Sequence, residues 1–294
     1  MRWSGLLALV VFGCSSPADD VTGGDDALIG GEADARHVAV GAFVTGDDAH
    51  RKSFCTGTLV APRVVVTAKH CTLDLPADAA FAFGADARHP DRVVAIDRFE
   101  RALPERGGFM RLGSDVAGVI LAEAITDIAP VAVATRALDA TDVGKTVVAV
   151  GYGAQGTGGS ADTRKAGPLS VLAVSGAPLP LRYTTLDRWL DAAAEHSGHD
   201  LGEFEVEDFT LTYRRTLLAG YEAYLSAPAV QTCHGDSGGP MLRPTATGFE
   251  VVAVVSGGPL PGTITHPGSC DGGNVVGIVT SSARDMLRRL AASP

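Results

Sequence analysis

From Leu28 onward the chain is a succession of short apolar runs broken by turn-forming residues. The runs are His37–Val44, Thr58–Val60, Val64–Thr67, Val93–Ile96, Val116–Leu121, Val147–Val150, Leu169–Val174, Val251–Val255 and Val275–Val279. Most are rich in β-branched residues, which crowd a helix but suit a pleated strand. Their length and composition predict strands. Two segments change period. Over Thr184–His196, Leu186, Trp189, Leu190 and Ala193 recur at helical spacing, with Thr184 and Asp187 placed to form a capping box. Over Ala283–Ala292, Met286, Leu287 and Leu290 share one helical face. Many strands without regularly alternating helices predict an all-β barrel or sandwich. Residues 154–163, AQGTGGSADT, read as a mobile surface loop.

The first residues follow a different pattern. Arg2 precedes an apolar stretch from Leu6 to Phe12 that falls short of the about 20 residues a bilayer span needs, so residues 1–13 read as an export signal. Val11-Phe12-Gly13-Cys14 resembles a bacterial lipobox, with Cys14 as the lipid acceptor. Residues 14–27 are small and acidic, in keeping with a lipid-anchored tether or a pro-segment. The expected location is therefore extracytoplasmic, either as an outer-membrane lipoprotein or as a secreted protein.

Composition narrows the function classes. The 294 residues are enough for one large domain or two packed halves, and 46% hydrophobic content with 20% charged residues is globular. A formal charge of −10 without any Lys/Arg-rich run argues against nucleic acid as a partner. Apart from Cys14, Cys55, Cys71, Cys233 and Cys270 form an even set suited to disulfides. The sequence leaves the pairing open, although close spacing favours Cys55–Cys71 and Cys233–Cys270. No cysteine or histidine cluster has ligand spacing, so neither a metal nor another cofactor is expected.

The most specific local chemistry lies in Cys233-His-Gly-Asp-Ser237-Gly-Gly-Pro240. A serine flanked by glycines lets a carbonyl approach the backbone, and the Gly235 and Ser237 N–H groups are natural donors to an oxyanion. Val64-Val-Val-Thr-Ala-Lys-His70-Cys71 delivers a histidine at the end of an apolar strand. Gly113-Ser-Asp115-Val-Ala-Gly-Val-Ile-Leu121 opens another such strand with an aspartate, whose burial is costly unless an imidazole N–H pairs it. Asp97 and Asp127 rank behind Asp115 for that role.

The blocks TAKHC, SDVAGVIL and GDSGGP resemble the three catalytic blocks of the chymotrypsin/trypsin family of serine endopeptidases, in that family's order. The resemblance covers Leu28 to about Ala292 and is weakest over 176–215. It implies two packed six-stranded antiparallel β-barrels with a C-terminal helix, the first over about 28–130 and the second over about 131–294. It further implies His70 as base, Asp115 as its orienting acid, Ser237 as nucleophile, and protein or peptide substrates cleaved through an acyl-enzyme. Leu28-Ile-Gly-Gly31 is similar to the family's mature N-terminus, which implies an activating protease and a role for Asp236 in binding the freed amine of Leu28. Gln231, Ser256, Gly258 and Gly277 fall at the substrate pocket, and Thr216–Tyr221 at the strand before the nucleophile loop.

The departures carry their own expectations. Gln231 stands where trypsin-like members carry Asp, so the pocket floor lacks a fixed negative charge and favours a neutral side chain. Gly257 replaces the usual Trp, Lys69 replaces a small residue, and 176–215 is a long insertion able to form an exosite. An inactive homologue acting as a binding module is the alternative function, although all three catalytic positions are filled. A surface adhesin is a third possibility, and labelling of an active serine by a fluorophosphonate would separate a protease from both. Gly235–Gly239 also satisfies the GxSxG of α/β-hydrolases. That fold needs its acid and histidine after the serine, where His266 and Asp271 are the candidates, and its alternating helices are missing.

Overall fold

The structure, a computed structural model, describes residues 28–153, 162–259, 270 and 272–293. The export signal, the tether, Cys14, most of the 154–163 loop, His266 and Asp271 lie outside the described residues. After a two-residue strand, β1 (Glu32–Ala33), the chain forms β2 (Val40–Thr45), β3 (Lys52–Ala61), β4 (Val64–Thr67), β5 (Ala80–Phe83), β6 (Arg92–Arg101) and β7 (Ala117–Leu121). These six strands, β2 to β7, close an antiparallel barrel in the order β2-β3-β4-β7-β6-β5. Closure is made by β5 on β2, with Phe81 opposite Phe43. Inside, Phe43, Phe81 and Phe83 stack edge to face at 5.0 and 4.9 Å. Each contributes about 1.5–3 kcal/mol by burial.

The second barrel follows β8 (Ala132–Val133) and contains β9 (Thr146–Gly151), β10 (Lys165–Ala173), β11 (Glu222–Ser226), β12 (Pro240–Thr245), β13 (Gly248–Gly257) and β14 (Asn274–Ile278). The ring runs β9-β10-β11-β14-β13-β12 and closes through Met241 of β12 opposite Ala149 of β9. β1 extends it beside β10, and β8 joins β13 in parallel. The core between these sheets holds Leu28, Val147, Leu169, Leu225, Met241, Val252 and Ile278. The all-β expectation and the twin barrels both hold.

Three helices complete the described chain. Two, α1 (Leu186–Ser197) and α2 (Glu203–Arg214), form the 176–215 insertion between β10 and β11. Thr185, not Thr184, caps α1 by accepting the Arg188 N–H at 3.3 Å. α2 was not predicted. Only Phe209 and Thr212 are buried along it, too few for an apolar stripe. The fully buried Trp189 joins the helices by donating Nε1–H to the Phe209 carbonyl at 2.8 Å. The third, α3 (Ser281–Ala292), leaves the second barrel but buries Met286, Leu287 and Leu290 in the core of the first. No helix among the described residues is long and apolar enough to cross a membrane.

Local chemistry moves two sequence boundaries. The strand expected from His37 starts at Val40, because Asp34 takes the His37 backbone N–H at 3.0 Å and its ring Nδ1 at 2.9 Å. Arg164 adds a further bond to the same carboxylate at 3.1 Å and reaches the Val40 carbonyl on the first barrel. The strand before the nucleophile loop is Glu222–Ser226, whereas Thr216–Tyr221 precedes it as a bridge residue and a turn. The two disulfides are Cys55–Cys71 and Cys233–Cys270, with Cα separations of 6.2 and 5.1 Å.

Candidate active site

β4 brings the chain to Thr67, and a single tight turn, His70–Thr72, follows. The Cys71–Cys55 bridge ties this turn back to β3. Asp115 lies two residues before β7, the neighbour of β4, so the ladder that pairs Thr67 with Ala117 brings acid and base together. Its Oδ2 lies 2.8 Å from the His70 ring Nδ1, and its Oδ1 accepts the His70 backbone N–H at 2.9 Å. Ser256, from the second barrel, donates its hydroxyl to the same Oδ2 at 2.5 Å. Asp115 is 1% exposed. Burial alone would raise its pKa, but the His70 ring, its charge, the Ser256 hydroxyl and the His70 N–H together hold it below the ordinary carboxylate value. A carboxylate facing Nδ1 places the ring proton there and leaves Nε2 as the acceptor.

Ser237 arrives from the opposite barrel. Gly238, at φ +81°, docks its loop against the strands that carry the histidine. A Cβ there would stand 2.0 Å from Thr67 Oγ1 and 2.4 Å from the Thr56 carbonyl, so only glycine fits. Thr56 seals the contact, its N–H donating to the Ser237 carbonyl at 2.8 Å and its hydroxyl to the Gly235 carbonyl at 2.8 Å. Cys71 Sγ lies 3.5 Å from the Ser237 carbonyl oxygen and 3.9 Å from His70 Nε2, so the His70 ring and the Ser237 segment flank one sulfur. No hydrogen bond joins Nε2 to the Ser237 hydroxyl here. Among the described residues, the Gly235 and Ser237 N–H groups donate to no protein acceptor.

Asp236 is wholly buried and accepts the N–H groups of Cys233 and Gly153, each at 2.8 Å. Burial dominates these two bonds and pushes its pKa up to about 7. No cation pairs with it among the described residues. Leu28 is buried in the core of the same barrel, and Ile29 bridges Gln231. The sign of the pH effect follows. Unfolded Asp236 ionises near 3.8 while the folded group stays protonated to about 7, so its contribution to stability is complete below the lower value and is lost as pH rises between them. Uncut Asp236→Asn protein is therefore expected to melt higher than wild type at pH 8, with the gap opening between about pH 4 and 7. A gap in melting temperature that does not change with pH would contradict this.

A cavity of about 230 Å³ adjoins Ser237 and is lined by Met110, Thr232, Cys233, His234, Val255, Ser256, Gly257, Gly258 and Cys270. Of the residues the resemblance puts at the pocket, Ser256 and Gly258 line this cavity and Gln231 and Gly277 do not. The Gln231 amide turns back to the Ala227 carbonyl at 3.1 Å. Gly277 sits against the backbone of Asp115, where a Cβ would meet the Asp115 carbonyl oxygen at 2.8 Å, and so lets β14 abut the acid. The buried residue behind the cavity is Asn274, whose Oδ1 accepts both the N–H and the hydroxyl of Thr232 at 2.9 and 2.5 Å. Neither Asn274 nor Met110 was foreseen. Met110 Cε would lie 2.8 Å from a Cβ on Gly257, so its thioether covers the space a larger side chain would fill. The buried Glu222 carboxylate fixes that loop by accepting the Phe109 and Met110 N–H groups at 2.6 and 2.9 Å. Lys69, 3% exposed, holds its other end through the carbonyls of Glu105 and Leu112.

A family model described as Trypsin matches residues 28–176. Among curated proteins none matches the chain significantly.

Proposed function

The chain belongs to the trypsin family of serine proteases, whose substrates are proteins or peptides, and on that footing we propose that it is an exported endopeptidase working through Ser237, His70 and Asp115. The observation that carries the reading is the Asp115 carboxylate. It is buried, fixed by three donors from both barrels, and leaves His70 Nε2 as the free basic atom of the ring.

In the proposed reaction His70 Nε2 takes the proton of the Ser237 hydroxyl as its oxygen attacks the scissile carbonyl. The N–H groups of Gly235 and Ser237 receive the oxyanion, each donor contributing roughly 2.7–4 kcal/mol. His70 then protonates the leaving amine, and water, activated by the same ring, releases the acyl group. The Nε2–hydroxyl bond tightens only when substrate closes the site, as is common for catalytic hydrogen bonds. Among the described residues, no Asp, Glu, Lys or Arg lines the cavity, which supports a neutral residue before the cleaved bond.

Cleavage before Leu28 would supply an α-ammonium close to Asp236 and convert a costly buried carboxyl into an ion pair. A separate protease would make that cut, also releasing the chain from any lipid on Cys14. The test is a fluorophosphonate probe added to protein beginning at Leu28, with the adduct located by mass spectrometry. A single adduct on Ser237 is expected. An unlabelled protein would return the chain to the binding-module reading.

A further inference from the structure

The helical insertion carries a surface that the proposed chemistry does not use. Along α2, Phe204 is 86% exposed and Leu211 55% exposed, one apolar residue at each end of a single helical face. Glu203, Glu207 and Asp208 surround them, while Arg214 is the only cation in the helix. Among the described residues, Glu203 and Glu207 form no ion pair.

This face is joined to the catalytic cleft. Asp208 pairs with Arg111 at 3.9 Å, and Arg215, just past the helix, donates to the Phe109 carbonyl at 3.2 Å. The next residue, Met110, lines the cavity beside Ser237. A polypeptide leaving the cavity over Met110 would therefore meet α2.

The charge decides what kind of chain that is. Residues 14–27 hold Asp19, Asp20, Asp25 and Asp26 and no Lys or Arg, so the protein's own leading segment is repelled. A second copy would present the same acidic face to itself. Exposed apolar side chains beside the unpaired carboxylates of Glu203 and Glu207 suit a cationic partner with apolar residues between its charges. We infer that the face around Phe204 and Leu211 is an exosite for substrate polypeptide rich in Lys or Arg and aliphatic residues, outside the bond that is cut. It rests on the protease reading only for calling the partner a substrate.

The test measures binding, so it is independent of hydrolysis. Full-length Ser237→Ala protein is titrated into a fluorescein-labelled peptide of lysine, leucine and glycine, followed by fluorescence anisotropy. Added Glu203→Lys/Glu207→Lys, or Phe204→Ser/Leu211→Ser, is expected to weaken binding by about tenfold or more. Glu123→Lys/Asp285→Lys, an equal change of net charge elsewhere, is expected to stay within about twofold. The exposure of Phe204 and Leu211 keeps those variants folded, which circular dichroism checks. Equal weakening by the remote pair would mean attraction to net charge alone, and unchanged binding in either α2 variant would also overturn the exosite. Normal Ser237 labelling alongside either failure would leave the protease reading standing.

Discussion

Ser237→Ala protein is expected to lose roughly 10⁶-fold in the rate of peptide or ester hydrolysis and to melt at nearly the wild-type temperature. The two readouts separate because of how the residue is held. Its backbone is fixed by the Thr56 N–H and by the close seat of Gly238, whereas its hydroxyl makes no hydrogen bond in the resting site. Removing that oxygen costs the fold almost nothing and removes the proposed nucleophile. Water could still reach a bound carbonyl next to the Gly235 and Ser237 N–H groups, so slow residual turnover above background fits the scheme. Hydrolysis at wild-type rate by the purified variant would sink the assignment.

Asp115→Asn should cost about 10⁴-fold in kcat with substrate binding little changed. The carboxylate takes hydrogen bonds from the His70 ring, the His70 backbone and the Ser256 hydroxyl. An amide of the same shape has one accepting oxygen. If that oxygen keeps the backbone N–H, its NH₂ faces Nδ1 and drives the ring proton to Nε2, the atom that must receive the proton from Ser237. The substitution thus reverses the tautomer without moving the ring. Steady-state kinetics on a short peptide ester would show it as a fall in kcat at nearly constant KM. A loss under about tenfold would mean that another group orients His70.

The depressed pKa of Asp115 has an acid-side counterpart. Its stabilising contribution is present above its ordinary value of 3.8 and is lost as pH falls through the lower folded value. Asp236 behaves in the opposite sense, because burial outweighs its two N–H donors. Two carboxyls of one site thus respond to pH with opposite signs.

Elements that were legible in the sequence are those whose burial leaves a plain mark. β4, β7, β9 and β14 are nearly all buried, and their β-branched runs read directly as strands. β5 is Ala-Phe-Ala-Phe and carries no β-branched residue. β12 contains Pro240 and Pro244, residues that argue against a strand, and it is recruited by partners on both sides. The proposed triad could be read from the sequence because His70, Asp115 and Ser237 each sit in a compact local motif. The cavity was legible only in part, since Ser256, Gly257 and Gly258 stand together in the sequence while Met110 reaches it from a loop far away in the chain. Gly277, which the family resemblance puts at the pocket, lies against the Asp115 backbone.

The crossing of α3 from its own barrel to the other, with Arg164 bonded on both sides of the seam, has a kinetic corollary. Heat or a nick that loosened this seam would separate the serine from the imidazole while each barrel kept its own ladder intact. The proposed activity would then cease while each shell still looked intact, following the unlatching of the halves well ahead of their melting.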